Sequence, residues 1–422
     1  MRLLYNLLIH VVAPVAFLLE LARGVRDRSY RERRRERLGL GSQAAPGSIW
    51  VHAVSVGEVQ AAAPLVRRLL ARCPGSRLVL TTVTPTGAAR CRLLFGDAVE
   101  HRYVPLDMPG AVRRFFDRVQ PRIAIIIETE LWPNLFAECG RRGVPLVLAS
   151  ARISPRSVRR YRRLVPLFRQ TLSHGIVIAA QSESDAERFR SIGAAAERTH
   201  VTGNIKFDFE LHDDAGVRGA AWRRDQARGR PVWVAGSTHE GEEALVLDAH
   251  AALRRSLPDS LLLLVPRHPN RFAEVAQLLD RRGLRWISRS GGQPVEAATE
   301  AILGDTMGEL MMFYAAADVA FVAGSLVPIG GHNLLEPAAL GKPILTGPHN
   351  FNGEDIYLKL TEAGAVGTVT DPRSLAAALE RLLADEAARR EQGGRGLAVL
   401  EANRGALDRL LALVVPLLDP LA

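Results

Sequence analysis

The residues of this 422-residue chain whose types suit chemistry sit where apolar runs end. "WVHAVSVGEV" (Trp50–Val59) starts as a buried strand, breaks at Gly57 and sets the carboxylate of Glu58 ahead of a helix-like stretch, Val59–Ala71. A carboxylate so placed can face a cleft and serve catalysis, or it can merely favour the positive end of a helix dipole. The stretch alone leaves both open. Gly57 is expected to supply a tight turn that brings Glu58 close to its target. "ETELWPN" (Glu128–Asn134) follows the strongly apolar "RIAIII" and puts two carboxylates, Glu128 and Glu130, at a buried strand end. Two negative charges there need a cation or a substrate hydroxyl as partner. "ASARIS" supplies Arg152 and "TGNIKFD" supplies Lys206. Either cation alone is usually a surface residue, but together with the carboxylates they form a polar lining for one cleft wall.

The second half of the chain carries a different set. "GSTHEGEE" (Gly236–Glu243) joins an apolar run to a helix with small residues and hydroxyls, the composition of an anion site at a helix start. "PRHPNRF" places Arg267 and His268 at a strand end, and "GDTMGEL" (Gly304–Leu310) follows the next run. "GSLVPIGGHNLLEPAALGKP" (Gly324–Pro343) offers a glycine pair, then Asn333, then a helix in which Glu336 could accept both hydroxyls of a ribose. Each loop by itself is compatible with plain turn chemistry; four on one edge point to a nucleotide. No GK[ST], HExxH or D-x-D occurs, so metal-assisted phosphate chemistry has no evident ligands. A departing nucleotide would be stabilised by Arg, His and helix dipoles.

The elements that must hold these loops are short continuous apolar runs separated by helical stretches. Ile49–Val56, Arg77–Val83, Arg102–Leu106, Arg122–Ile127, Val144–Ser150 and Gly175–Ala180 form one series. Pro231–Ala235, Leu261–Val265, Leu284–Ser288, Glu300–Leu303, Val319–Ala323, Pro343–Thr346 and Val366–Val369 form another. Continuous rather than alternating runs predict parallel strands covered on both faces. The polar stretch Phe207–Arg230 reads as the connection between two doubly wound, Rossmann-like α/β domains, with ligands at the strand carboxyl ends and in the cleft between domains. The expected organisation is an anchor and basic segment over 1–40, a first Rossmann-like domain over 41–210, and a second, nucleotide-binding one with a helical tail over 211–422.

The net charge of +10 implies polyanionic partners. Eight arginines fall within Arg23–Arg37, directly behind the mostly apolar Leu3–Ala22. Apolar and basic runs side by side are the two-signal arrangement of a membrane anchor facing anionic lipid, spanning or interfacial. An amphipathic helix docked on the core is the plainer alternative. Positive flanks stay in the cytoplasm, and three widely spaced cysteines fit a reducing compartment. Aromatic and basic residues do not interleave, so nucleic acid is not expected.

Taken in order, "WVHAVSVGEV", "ETELWPN", "SARIS", "GNIKFD", "GSTHEGEE", "PRHPNRF", "DTMGEL" and "GGHNLLEPAALGKPILTGPHNFN" resemble the 3-deoxy-D-manno-octulosonic acid (Kdo) transferases of Gram-negative lipid A assembly. The resemblance runs from the N-terminal anchor to about residue 355. It implies the two-domain GT-B fold and transfer of Kdo from CMP-Kdo to a lipid A precursor at the cytoplasmic face of the inner membrane, with no cofactor or metal. It makes 41–210 the acceptor domain and 211–422 the nucleotide-sugar domain. It makes Glu58 the general base and Glu128 and Lys206 the transition-state stabilisers. It sets CMP against Arg267 and His268, against Met307, Gly308 and Glu309, and against Asn333, Leu334, Leu335 and Glu336. The residues agree with this: a direct displacement needs a base for the acceptor hydroxyl, and an anionic donor suits Arg267 and Lys206. Another GT-B enzyme, a UDP-sugar transferase or an epimerase, stands as the alternative, and a non-catalytic membrane-surface module is a third reading.

Overall fold

The computed structural model describes residues 2–26, 28–161, 165–172, 175–208 and 214–418. They form two compact units, Met1–Asp208 with Asn403–Ala422, and Phe209–Ala402.

The first unit opens with helix α1 (Arg2–Arg26). Strands β1 (Ser48–His52), β2 (Leu78–Thr82), β3 (Glu100–Tyr103), β4 (Pro121–Ile127), β5 (Leu146–Ala151), β6 (Val177–Ala180) and β7 (Thr199–Val201) alternate with helices. These are α2 (Val56–Arg72), α3 (Pro85–Phe95), α4 (Pro109–Val119), α5 (Pro133–Arg142), α6 (Pro155–Tyr161), α7 (Val165–Leu172) and α8 (Glu183–Ser191). The sheet order is β3-β2-β1-β4-β5-β6-β7, and all pairs are parallel. The strand order reverses between β1 and β4, the point where a doubly wound sheet opens a crevice at its carboxyl edge. Register there sets Trp50 beside Ala124 and His52 beside Ile126. Both sheet faces are covered: Val51, Ile125 and Val147 pack on one side, Trp50, Ala124 and Leu148 on the other. That double burial is why the strands read as unbroken apolar runs.

The second unit repeats the design. It holds α9 (Asp214–Trp222), β8 (Val232–Thr238), α10 (Glu242–Leu253), β9 (Leu261–Pro266), α11 (Phe272–Arg281), β10 (Trp286–Ser288) and β11 (Ala301–Leu303). It continues with α12 (Leu310–Ala316), β12 (Val319–Val322), α13 (Leu335–Ala339), β13 (Ile344–Thr346), α14 (Glu354–Glu362), β14 (Val366–Thr368), α15 (Pro372–Ala384) and α16 (Glu386–Asn403). Its parallel sheet runs β10-β11-β9-β8-β12-β13-β14 and reverses between β8 and β12.

Three expectations are corrected. The stretch Phe207–Arg230 is no simple connection: from Asp214 it forms α9, which packs on α12 so closely that a Cβ on Gly219 would lie 2.4 Å from that of Ala315. Glycines that make such an approach possible also make the segment read as loop. The tail does not stay with the second unit. Its last helix, α17 (Ala406–Leu418), buries Leu407, Leu410, Val414 and Leu418 in the first unit's core beside Ile49, Ile125 and Val147. Asp208 accepts the backbone N–H groups of Gly405 (2.6 Å) and Leu407 (2.5 Å), and Arg409 donates to the Thr202 carbonyl at 2.8 Å, so α17 backs the 202–208 loop. Leu410→Ala is expected to lower the unfolding free energy of the first unit by about 2–5 kcal/mol, because a buried leucine leaves a cavity; urea denaturation measures it. Finally, the arginine cluster is not all free for a membrane. Arg37 is buried, donates to the Val83 carbonyl at 2.5 Å and lies over the Tyr103 ring, which Arg33 also covers.

Helix α1 is long and apolar enough to cross a bilayer, roughly 37 Å at 1.5 Å per residue against a hydrocarbon core of about 30 Å. Leu3, Leu4, Leu7, Leu8, Val11, Leu18 and Leu19 are exposed along it.

Candidate active site

In the first unit the functional groups gather at the switch point. Helix α2 follows β1 after three residues, and Glu58 lies in its first turn. Its Oε2 accepts the backbone N–H of Val54 at 2.7 Å, so the carboxylate folds back over the strand end. Gly57 contributes no special turn: it sits in the helix with an ordinary backbone, and an added Cβ would meet only the Ser55 hydroxyl, at 3.9 Å. The tight turn predicted there is absent.

Across the switch point the chain leaves β4 at Glu128, whose φ of 60° is left-handed. Such a backbone costs a residue with a Cβ about 1–2 kcal/mol and marks a position held for a reason. Lys206 Nζ donates to Glu128 Oε1 at 2.7 Å. The loop carrying Lys206 is itself braced. Asn204 Oδ1 accepts the Lys206 N–H at 2.9 Å, and the Ser150 hydroxyl accepts the Ile205 N–H at 3.4 Å. Ser150 is also left-handed, φ 52°, at a bulge in β5. Glu130 accepts the indole N–H of Trp132. Arg152, after β5, is half-buried.

The electrostatics follow from burial. Burial pushes the Glu58 carboxyl up to about 8; the negative charges of Glu128 and Glu130 push the same way, while the Val54 amide and Lys206 oppose them. Burial raises Glu130 too, with Glu128 adding to it. A carboxyl raised in the folded state binds a proton that the unfolded chain has released. Its contribution to stability is therefore full below the ordinary carboxylate range and lost as pH rises through about 8. Unfolding free energy is expected to decline over that window, and Glu58→Gln is expected to flatten the decline. Urea titrations at successive pH values check this.

His52, the last residue of β1, is buried; its Nδ1 lies 2.8 Å from the Thr81 hydroxyl and its ring stands edge-on to Trp132. Burial lowers it to about 4, so it is a neutral prop under the loop bearing Glu130.

In the second unit the β8 and β12 ends meet. Ser237 turns left-handed, φ 62°, at a bulge, and leads to His239. Arg267 and His268 follow β9, the His268 ring edge-on to His239 at 5.4 Å. Glu242, fully buried at the start of α10, accepts the backbone N–H groups of Gly324 (2.6 Å), Ser325 (3.0 Å) and Leu326 (3.0 Å). It thereby shapes the turn that leads from β12 into the glycine loop. Gly330 and Gly331 pass so close to Asn352 and Asn350 that a Cβ on either would lie 2.5 Å from those side chains.

The remaining sequence-predicted ligand positions differ in what they present. Met307 is exposed and Gly308 left-handed at φ 83°. The Glu309 carboxylate is held by Arg289 (2.9 and 3.0 Å) and Arg218 (3.2 Å), which holds its carboxyl below the usual range, Arg289 foremost. Asn333 accepts the Leu335 N–H at 3.1 Å. Leu334 and Leu335 are buried, which leaves their backbone rather than their side chains for a ligand.

Two Rossmann-like units, each with charged and polar side chains gathered at the switch point of its parallel sheet, are the GT-B type of fold. A solved UDP-GlcNAc 2-epimerase from Neisseria meningitidis shares the fold, at 14% identity and TM-score 0.56 over 86% of this chain and 100% of that one. Residues 294–397 match the model of glycosyl transferases group 1, and residues 32–209 match that of 3-deoxy-D-manno-octulosonic-acid transferase (kdotransferase). The chain is 42% identical to the 3-deoxy-D-manno-octulosonic acid transferase of Haemophilus influenzae over 99% of both proteins. It is equally 42% identical to that of Bordetella pertussis, over 87% of this chain and 86% of that one. The chain belongs to the Kdo transferase family.

Proposed function

We propose that this Kdo transferase moves Kdo from CMP-Kdo to a hydroxyl of a phosphorylated lipid A precursor at the cytoplasmic face of the inner membrane, and releases CMP. The observation that carries the reading is the cluster of Glu58, Glu128 and Lys206 at the first unit's switch point in a chain of this family.

In its ionised form Glu58 takes the proton of the acceptor hydroxyl as that oxygen attacks the anomeric carbon. A single displacement inverts that centre. Lys206, oriented by Glu128, offers a cation to the negative charge of the transition state. The donor carries a phosphate and a sugar carboxylate; Arg267 supplies the positive charge that receives them and His268 an imidazole beside it. This division of labour calls for no metal or other cofactor. The exposed apolar side chains of α1 and the exposed Arg23, Arg31 and Arg35 suit an anionic lipid surface, where the acceptor resides.

A thermal-shift panel tests the donor. CMP is expected to stabilise the full chain, whereas UDP and GDP leave it unchanged. Stabilisation by UDP instead would favour a UDP-sugar transferase or an epimerase, whose fold this chain shares.

A further inference from the structure

His239 and His332 face each other across the second unit's switch point, from loops 93 residues apart. Their Nε2 atoms are 2.8 Å apart, their centroids 5.0 Å and their planes 7° from parallel. Centroids that far apart with nitrogens that close place the rings edge to edge in nearly one plane, so one proton lies on the line between two nitrogens. A metal held at the ~2.0–2.1 Å of an imidazole ligand would force the nitrogens farther apart, so the contact is a hydrogen bond.

The surroundings are cationic. Arg267, His268 and Arg271 lean on His239; His239, Arg267 and His268 lean on His332. The two carboxylates that approach from α10 are committed elsewhere. Glu242 accepts backbone N–H groups of the 324–326 turn, and Glu243 pairs with Arg271 at 3.3 Å. Among the described residues the Arg267 guanidinium has no hydrogen-bond or ion-pair partner. Burial first, and these basic neighbours second, hold both imidazoles below the usual histidine range, His332 at about 3. Held there, the pair is neutral at pH 7, with a single proton between the rings.

We propose, on the reading that this unit binds a cytidine nucleotide, that His239 and His332 form a proton-coupled anion site beside Arg267. When a phosphate lies against Arg267 and His239, the pair takes one proton from solvent and becomes an imidazole–imidazolium dyad. The added charge neutralises the phosphate while it is bound and as it departs, and the proton returns to solvent when CMP leaves. One N–H bond forms, at the cost of an O–H bond of solvent hydronium or of the buffer acid, and it breaks again when the proton returns; no bond between heavy atoms changes. The edge-to-edge geometry suits this role, because the proton already held between the rings lets one imidazole accept a second proton at its outer Nδ1 while the other shares the charge.

Calorimetry tests the idea. CMP is titrated into the full-length protein at pH 7.5 in buffers of different ionisation heat. The methyl phosphodiester of CMP, which does not titrate near neutrality, is run alongside. Wild type is expected to take up about half a proton or more per ligand, and its affinity to weaken correspondingly as pH rises. His332→Gln keeps a polar neighbour for His239 but cannot share a proton; it is expected to bind about tenfold more weakly with uptake near zero. His268→Gln, which removes a third imidazole from the donor site, is expected to bind more weakly and still to take up the proton. Buffer-independent heats in wild type, or uptake unchanged in His332→Gln but lost in His268→Gln, would overturn the inference and leave CMP recognition standing. Failure to bind CMP or its ester at all would overturn both. The wild-type buffer series decides the matter even if a variant does not fold.

Discussion

Glu58→Gln is expected to lower the turnover number of Kdo transfer by about 10²–10⁴-fold, the range that a positioned general base contributes, with CMP affinity unchanged. Glutamine keeps the size of the side chain and can still accept the Val54 N–H that folds Glu58 over the strand end. What it loses is the basic carboxylate. Because the carboxyl sits at about 8, kcat/KM of the wild type is expected to rise with pH through that region, and the residual activity of the variant to lose this limb. Lys206→Met removes the cation that opposes the rise. It is expected to move the limb to higher pH and to lower turnover as well. A variant that retained wild-type turnover would reassign the base, with Glu130, half-buried and also raised, next in line.

Glu242→Ala is expected to destabilise the second unit by on the order of 3–5 kcal/mol, through the buried backbone donors it leaves without partners, and to abolish CMP binding. Glu242 holds three successive amides, and the glycine loop departs from the turn they form. The turn would lose its template and the loop its direction, and His332 would part from His239. The two units should unfold in separate transitions, and urea denaturation should move only that of the second. Glu242→Gln retains one acceptor oxygen and is expected to fall between wild type and Glu242→Ala. Equal stability of wild type and Glu242→Ala would mean that water can satisfy those amides.

The fold was legible because runs such as "RIAIII" and "LLLLV" are buried on both faces, which leaves parallel sheets as the economical arrangement. Strand β7 escaped notice because "THV" is short, polar and at a sheet edge. Helix α9 escaped because glycine, which permits its approach to α12, lowers helix propensity. The amphipathic stripe of α17 announces burial but not against which sheet, and the answer lies in Asp208, nearly two hundred residues earlier.

The site divides in the same way. Glu58 and Glu128 could be found because each follows an apolar run that reads as a buried strand; that the strand order reverses between them is seen only in the fold. Lys206 could be noticed but not paired, since its bond to Glu128 spans 78 residues. Ser150 and Glu242 act through backbone hydrogen bonds, which no residue type advertises. Histidine in "GSTHEGEE" and in "GGHNLLEP" carried no sign that the two rings meet, because neither spacing nor periodicity encodes a contact across a switch point.

The most direct measurement is of product mass after the full-length protein, in detergent, is incubated with CMP-Kdo and a tetra-acylated lipid A precursor. The account predicts a product heavier than the acceptor by one or more whole Kdo residues, with CMP released in equal number, no requirement for added divalent metal, and no product from Glu58→Gln on the same time scale. An unchanged acceptor mass with intact CMP-Kdo, or full product formation by Glu58→Gln, would contradict it.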